Sequence, residues 1–224
     1  MPFGLRRHGH DALGFEWFQS LAEVPGVEWL PRIELTVDER LAGAHPVPTD
    51  RDERHPGVPT HRWVDGAGRP IGAPYAFNNS PAAVITERLY EEPADRRLEL
   101  SLIALAHPGT RHDYANILGG AWQVIQYQGV ERFDVLEPLL RAHVSLMLAG
   151  PQAALSEPWD EYETPLERAS EPFIALISLY QHEGFLREAN EVEQLLDRLP
   201  DGAQPRYLPE PRPSELIAAL RELR

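Results

Sequence analysis

The chain has 224 residues, 42% apolar and 25% charged, enough for one or two domains with a packed core. Its formal net charge of −14 opposes polyanions and anionic membrane surfaces, and its basic residues form no patch that would offset it, so neither nucleic acid nor membrane is an expected partner. Cysteine is absent and all 21 basic side chains are arginine, which excludes disulfides, thiolate chemistry, Cys-based zinc sites, Schiff-base lysines and a phosphate-loop lysine.

No apolar run approaches the roughly 18 residues of a membrane span. The N-terminus, Met1-Pro2-Phe3-Gly4-Leu5-Arg6-Arg7, has no apolar segment behind its charges, so no secretory signal is read and a cytoplasmic location is expected. A helix is predicted over 11–24: Asp11 is a capping residue, and Leu13, Trp17, Phe18 and Leu21 share a face. Over 32–38, Ile33, Leu35 and Val37 alternate with Arg32, Glu34, Thr36 and Asp38, the pattern of a half-buried strand. The Pro-rich stretch 42–59 reads as loop. Segments 60–64 and 69–73 flank Asp65-Gly66-Ala67-Gly68 and read as a hairpin. These pieces make residues 1–79 a small, irregular α/β portion.

Ser80-Pro81 opens a different regime, with a capping hydroxyl followed by proline in the first turn. Helices are predicted over 81–92, 95–106, 110–128, 131–149, 165–183, 185–199 and 214–223. Thr164-Pro165 repeats the cap signal, and Ser214 is read as the last cap. Short separators such as Pro108-Gly109, Gly129, Gly150-Pro151 and Gly184 require neighbouring helices to run antiparallel. The nearly unbroken apolar runs Leu139 to Met147 and Phe173 to Tyr180 make the helices carrying them central. The 185–199 helix is amphipathic and should cover one side. The fold class is thus mainly α: antiparallel helical hairpins over 80–224, arranged as repeats or as a bundle, beside the α/β portion.

Within that half, the segment from Ala175 to Ala189, with Leu176, Tyr180, Gly184 and Ala189, resembles one tetratricopeptide-type unit. The resemblance implies Leu176 and Tyr180 packed inside a first helix, Gly184 in the tight turn and Ala189 as the small residue that lets a second helix come close. The resemblance covers about 27 residues, to Leu199, and no 34-residue period repeats it. It implies a groove that binds a protein or peptide.

The run Arg111-His112-Asp113-Tyr114-Ala115-Asn116-Ile117-Leu118 resembles the phosphoacceptor box of histidine kinases and sporulation-type phosphotransferases. That resemblance implies His112 as phosphoryl acceptor, Asp113 as the acid that tunes it, Asn116 as a supporting polar group, and a homodimeric four-helix bundle. A solvent-facing imidazole suits such chemistry because it is nucleophilic near neutral pH. Pro108-Gly109 interrupts the long helix that precedes the acceptor in that family, and no ATP-binding lid motif follows. The same residues also read as a plain helix start, with Thr110 as cap and Asp113 three positions on.

His8, His10 and Asp11 are the candidate metal ligands and would suit a metal-dependent hydrolase, although none of the histidines has the helical spacing of a hydrolytic zinc site. Glu188 and Glu191 stand one turn apart, the spacing of a solvated helix face. Trp122 and Tyr127 on one helix, Trp159 and Tyr162 in the acidic segment before residue 165, and Tyr180 are candidate partner-binding aromatics. The leading expectation is a non-catalytic protein- or peptide-binding module without a cofactor, followed by phosphotransfer through His112 and then by the metal-dependent hydrolase.

Overall fold

In the computed structural model, Ser80 and Pro81 begin the helical part as their side chains dictate. The Ser80 hydroxyl accepts the Ala83 N–H at 3.1 Å, and Pro81 occupies the first turn, where its missing N–H costs nothing. The structure describes residues 9–10, 16–27, 35, 37–49, 60–72, 79–87, 89–127, 132–149, 169–199 and 208–223. Among these, seven α-helices dominate: α1 (Pro81–Thr86), α2 (Ala94–Leu105), α3 (Arg111–Tyr127), α4 (Phe133–Ala149), α5 (Glu171–His182), α6 (Leu186–Leu196) and α7 (Pro213–Glu222). The protein is mainly helical with short antiparallel strands.

Helix limits differ from the sequence reading in several places, α6 for instance ending at Leu196 rather than at 199, and two of the differences have a direct cause. α1 stops at Thr86 rather than running to residue 92. The Thr86 hydroxyl turns back onto the carbonyls of Ala82 and Ala83, a 3₁₀ turn follows at Leu89–Glu91, and Pro93 starts α2. α7 begins one residue before Ser214, which is therefore not its cap. Pro213 takes the first turn, and the Glu215 carboxylate accepts the Arg212 N–H at 3.2 Å. Pro138 lies inside α4 without ending it, although it cannot supply the N–H that the Asp134 carbonyl would otherwise accept. The Thr164-Pro165 start lies outside the described residues.

The N-terminal portion departs further. Glu16–Phe18 is a strand, followed by a 3₁₀ turn at Leu21–Glu23, where a helix was predicted over 11–24; residues 11–15 lie outside the described set. This strand, β2, sits between β1 (Gly9–His10) and β5 (Gly109–Thr110), with Trp17 opposite Thr110 and Phe18 opposite Gly109. Consecutive strand residues point to opposite faces. Trp17 and Phe18 are both buried, so the strand is covered on both sides. Position 109 is tight: an added Cβ would stand 3.0 Å from both the Ala82 Cβ and the Tyr114 ring, so either neighbour would have to give way.

The strand predicted over 32–38 is not found at its described positions, where Leu35, Val37 and Asp38 belong to no strand. Asp38 instead caps a 3₁₀ turn at Glu39–Leu41 by accepting the Arg40 N–H at 3.0 Å. Part of the predicted loop 42–59 is a strand, β3 (His45–Thr49), which pairs with β4 (Thr60–Val64) along its length. The predicted hairpin partner meets only the end of β4, the Ile71 N–H donating to the Trp63 carbonyl and the Asp65 N–H to the Arg69 carbonyl, each at 2.9 Å. A strand paired along one edge offers the N–H of every second residue, so Pro46 and Pro48, two apart, are tolerated. The Asp65 turn is where the glycines placed it: the Asp65 carboxylate accepts the N–H groups of Ala67 and Arg69, each at 2.9 Å, and Val64 makes a single bridge to Pro70.

The chain divides into two compact units, Met1–Val24 with Glu34–Ile125, and Pro25–Ile33 with Gln126–Arg224. The first unit thus holds the short strands, β5 among them, together with α1, α2 and α3 as far as Ile125. In the first unit, Trp17, Trp63 and Ile71 form a buried cluster covered by Leu41, Ala44 and Val84. In the second, α4 packs on α5, α5 on α6 and α6 on α7. Leu139, Leu140, Leu146, Phe173, Leu176 and Ile177 fill its interior. Among the described residues, no helix is long and apolar enough to cross a membrane.

Candidate functional site

α3 starts at a hydrogen-bonded cap built around Asp113. Its Oδ2 accepts the Thr110 N–H at 2.8 Å and the Thr110 hydroxyl at 2.9 Å, while the Asp113 N–H donates to Thr110 Oγ1 at 3.1 Å. The Ser80 hydroxyl donates to the same Oδ2 at 2.8 Å. This is the plain helix-start geometry, reinforced from α1. His112 and Asn116, one turn apart on α3, come together with the Asn116 amide donating to His112 Nε2 at 2.9 Å. Of the three residues in the phosphoacceptor reading, Asp113 is the one drawn away into the cap.

Beside them the Arg111 guanidinium lies over the Phe18 ring, 5.2 Å from its centroid, and its buried Nη1 has no hydrogen-bond acceptor among the described residues. Tyr114, on the buried face of the same helix, donates to the carbonyls of His107 and Phe18 at 2.8 and 3.2 Å. Burial, with Asp113 nearby, raises the Tyr114 hydroxyl well above its ordinary range, so it remains a neutral donor.

The second unit contains a polar cluster that the sequence reading missed. Glu137, buried on α4, accepts the Tyr180 hydroxyl at 2.8 Å and the Nε–H of Arg141 one turn on. The Arg141 guanidinium also stands 5.4 Å over the Tyr180 ring. Burial, then the bond to Glu137, raises the Tyr180 hydroxyl above its ordinary range. The i,i+4 spacing of Glu137 and Arg141 was visible in the sequence; the partner arriving from α5 was not. The Tyr180 ring also meets Phe133 and Phe185, each at 6.3 Å, and those two stand 5.6 Å apart. On α4, His143 is wholly buried, and that burial pushes it down to about 3, so it is neutral at physiological pH.

No family model, curated protein or solved structure matches this chain.

The other candidates fall into two groups. Trp122 and Tyr180 are buried in their helices and contribute to the core rather than to a surface. Tyr127 ends α3, but its side chain lies outside the described set, as do Trp159 and Tyr162 entirely. His8 and Asp11 are also outside it, and His10 is described only as backbone of β1, opposite Glu16. Among the described residues no three metal-ligating side chains converge. Among the described residues of the second unit, the exposed large apolar side chains are Phe185, at 44% of its full area, Leu220 at 50% and Leu223 at 83%.

Proposed function

We propose that this protein is a cytoplasmic, non-catalytic interaction module that binds a protein or peptide through its helical second unit. The exposure of Phe185 at the α5–α6 turn, of Leu220 on α7 and of Leu223 just past its end supports this reading. Apolar side chains held open on rigid helices are the anchors that recognition surfaces use. The carboxylates best placed for chemistry, Asp113 and Glu137, are already engaged in a cap and a buried network. The test is selection of displayed peptides against the full chain. Selected ligands should lose at least about tenfold in affinity with Phe185→Ser or Leu220→Ser and none with His112→Ala. Ligands indifferent to both serines would end the proposal.

A second reading, phosphotransfer through His112, is supported by the Asn116 contact at 2.9 Å on the same helix face. Exposure to phosphoramidate should then yield an acid-labile phosphoryl adduct that disappears in His112→Ala. A wild-type chain that stays unmodified would remove this reading.

A further inference from the structure

Asp38 and His107 lie 69 positions apart and meet through a bond of uncommon type: the Asp38 backbone N–H donates to His107 Nε2 at 3.0 Å. That bond requires an unprotonated Nε2. The imidazole is only 4% exposed, and its backbone is fixed on both sides: the His107 N–H donates to Ala104, and the His107 carbonyl accepts the Tyr114 hydroxyl. The ring therefore projects from a rigid anchor at the end of α2 and holds the start of the 38–41 turn.

That turn covers something unusual. Its Leu41, with Ala44, packs on the Trp17–Trp63–Ile71 cluster, where the two indoles stack 4.5 Å apart at 18°. Among the described residues neither buried indole N–H has a hydrogen-bond acceptor. The pair therefore carries an unmet desolvation cost while it stays buried. The turn is held by the packing of Leu41 and Ala44 and by the Asp38–His107 bond.

The geometry points to an acid-released latch: protonation of His107 at Nε2 replaces the acceptor with a donor facing the Asp38 N–H, and residues 38–44 lift from the tryptophan pair. One proton is taken up per opening, and no other group changes its covalent state. Asp38 is the charged group that acts on the ring, and its carboxylate attracts the imidazolium. That carboxylate is already held by Arg40 through Nε at 2.9 Å and Nη2 at 2.6 Å, which limits the compensation it offers. Tyr114 stays neutral across this range. Burial holds the imidazole below its ordinary value of 6.5, so closure is complete above that pH and is lost as pH falls below it.

The experiment follows the Asp38 and Leu41 amides by hydrogen exchange, alongside acrylamide quenching of tryptophan, from about pH 8 to about pH 5. Protection of both amides should fall at least about tenfold and quenching should rise, with far-ultraviolet circular dichroism unchanged. His107→Gln, whose neutral carbonyl can still accept the Asp38 N–H, should remain closed throughout. His61 stands edge-on to Trp17 at 4.8 Å, so His61→Gln is the control and should keep the transition. A transition that persists in His107→Gln, or vanishes in His61→Gln, overturns the latch. Should His107→Gln fail to fold, nitrogen-15 shifts of the wild-type imidazole decide instead: an Nε2 bearing the proton at about pH 8 refutes the proposal.

Discussion

The Ser80 hydroxyl donates to the Asp113 carboxylate at 2.8 Å, so the caps of α1 and α3, 33 positions apart, form one hydrogen-bonded unit. The Ser80 oxygen accepts from Ala83 while its proton goes to Asp113, and Asp113 closes the first turn of α3 with Thr110. The arrangement binds two helix starts with two short side chains.

Asp113→Ala removes both the α3 cap and the tie to α1. It should destabilise the first unit by about 1–2 kcal/mol, measured by urea unfolding. Asp113→Asn, which retains an accepting oxygen, should cost less than half of that. Equal losses for the two variants would show that the carboxylate is valued for its charge rather than as an acceptor.

Tyr180→Phe deletes the donor to Glu137 but leaves the Arg141 contact in place, and about 1 kcal/mol should be lost. Glu137→Ala removes the acceptor that the Tyr180 hydroxyl and the Arg141 Nε–H share. It should cost about 3 kcal/mol, the larger because two bonds to a buried carboxylate are lost rather than one. Chemical denaturation followed by circular dichroism separates the two. A Glu137→Ala variant no worse than Tyr180→Phe would mean that the cluster relaxes toward solvent.

The folded value of His143, near 3, lies below the 6.5 of an ordinary imidazole, so the unfolded chain binds the additional proton. Its contribution to stability is complete above pH 6.5 and drains away as pH falls toward 3. The second unit should therefore weaken by up to about 1.4 kcal/mol per pH unit across that window. His143→Gln should flatten the slope. A urea midpoint with the same pH dependence in both proteins would remove His143 from the account.

Two glycines in one region should respond in opposite senses. Gly109→Ala places a Cβ 3.0 Å from the Ala82 Cβ and the Tyr114 ring and should cost about 1–3 kcal/mol. Gly120 lies inside α3 with nothing within 4 Å of an added Cβ, so Gly120→Ala should stabilise by about 0.5–1 kcal/mol. Thermal unfolding midpoints report both signs.

What the sequence determined by itself is the helical half, because its signals act over three or four residues. Ser80-Pro81 sets the start of α1. Gly184, with φ of +77°, turns the chain between α5 and α6, and the apolar run from Leu139 to Met147 lies in the buried part of α4. The Thr110–Asp113 cap and the His112–Asn116 pair were legible for the same reason: each lies within one helical turn. Tertiary structure alone decided the rest. Trp17 and Phe18 fit a helical face as well as a strand, and pairing with Gly109 and Thr110, more than 90 positions away, selected the strand. Pro46 and Pro48 marked a loop until β4 supplied an edge that needs no N–H from them. Nothing local to Glu137 marks it as buried, and its place in the interior follows from α5 bringing the Tyr180 hydroxyl against it. In each case the deciding energy comes from a partner distant in the chain, and local periodicity carries no record of that partner.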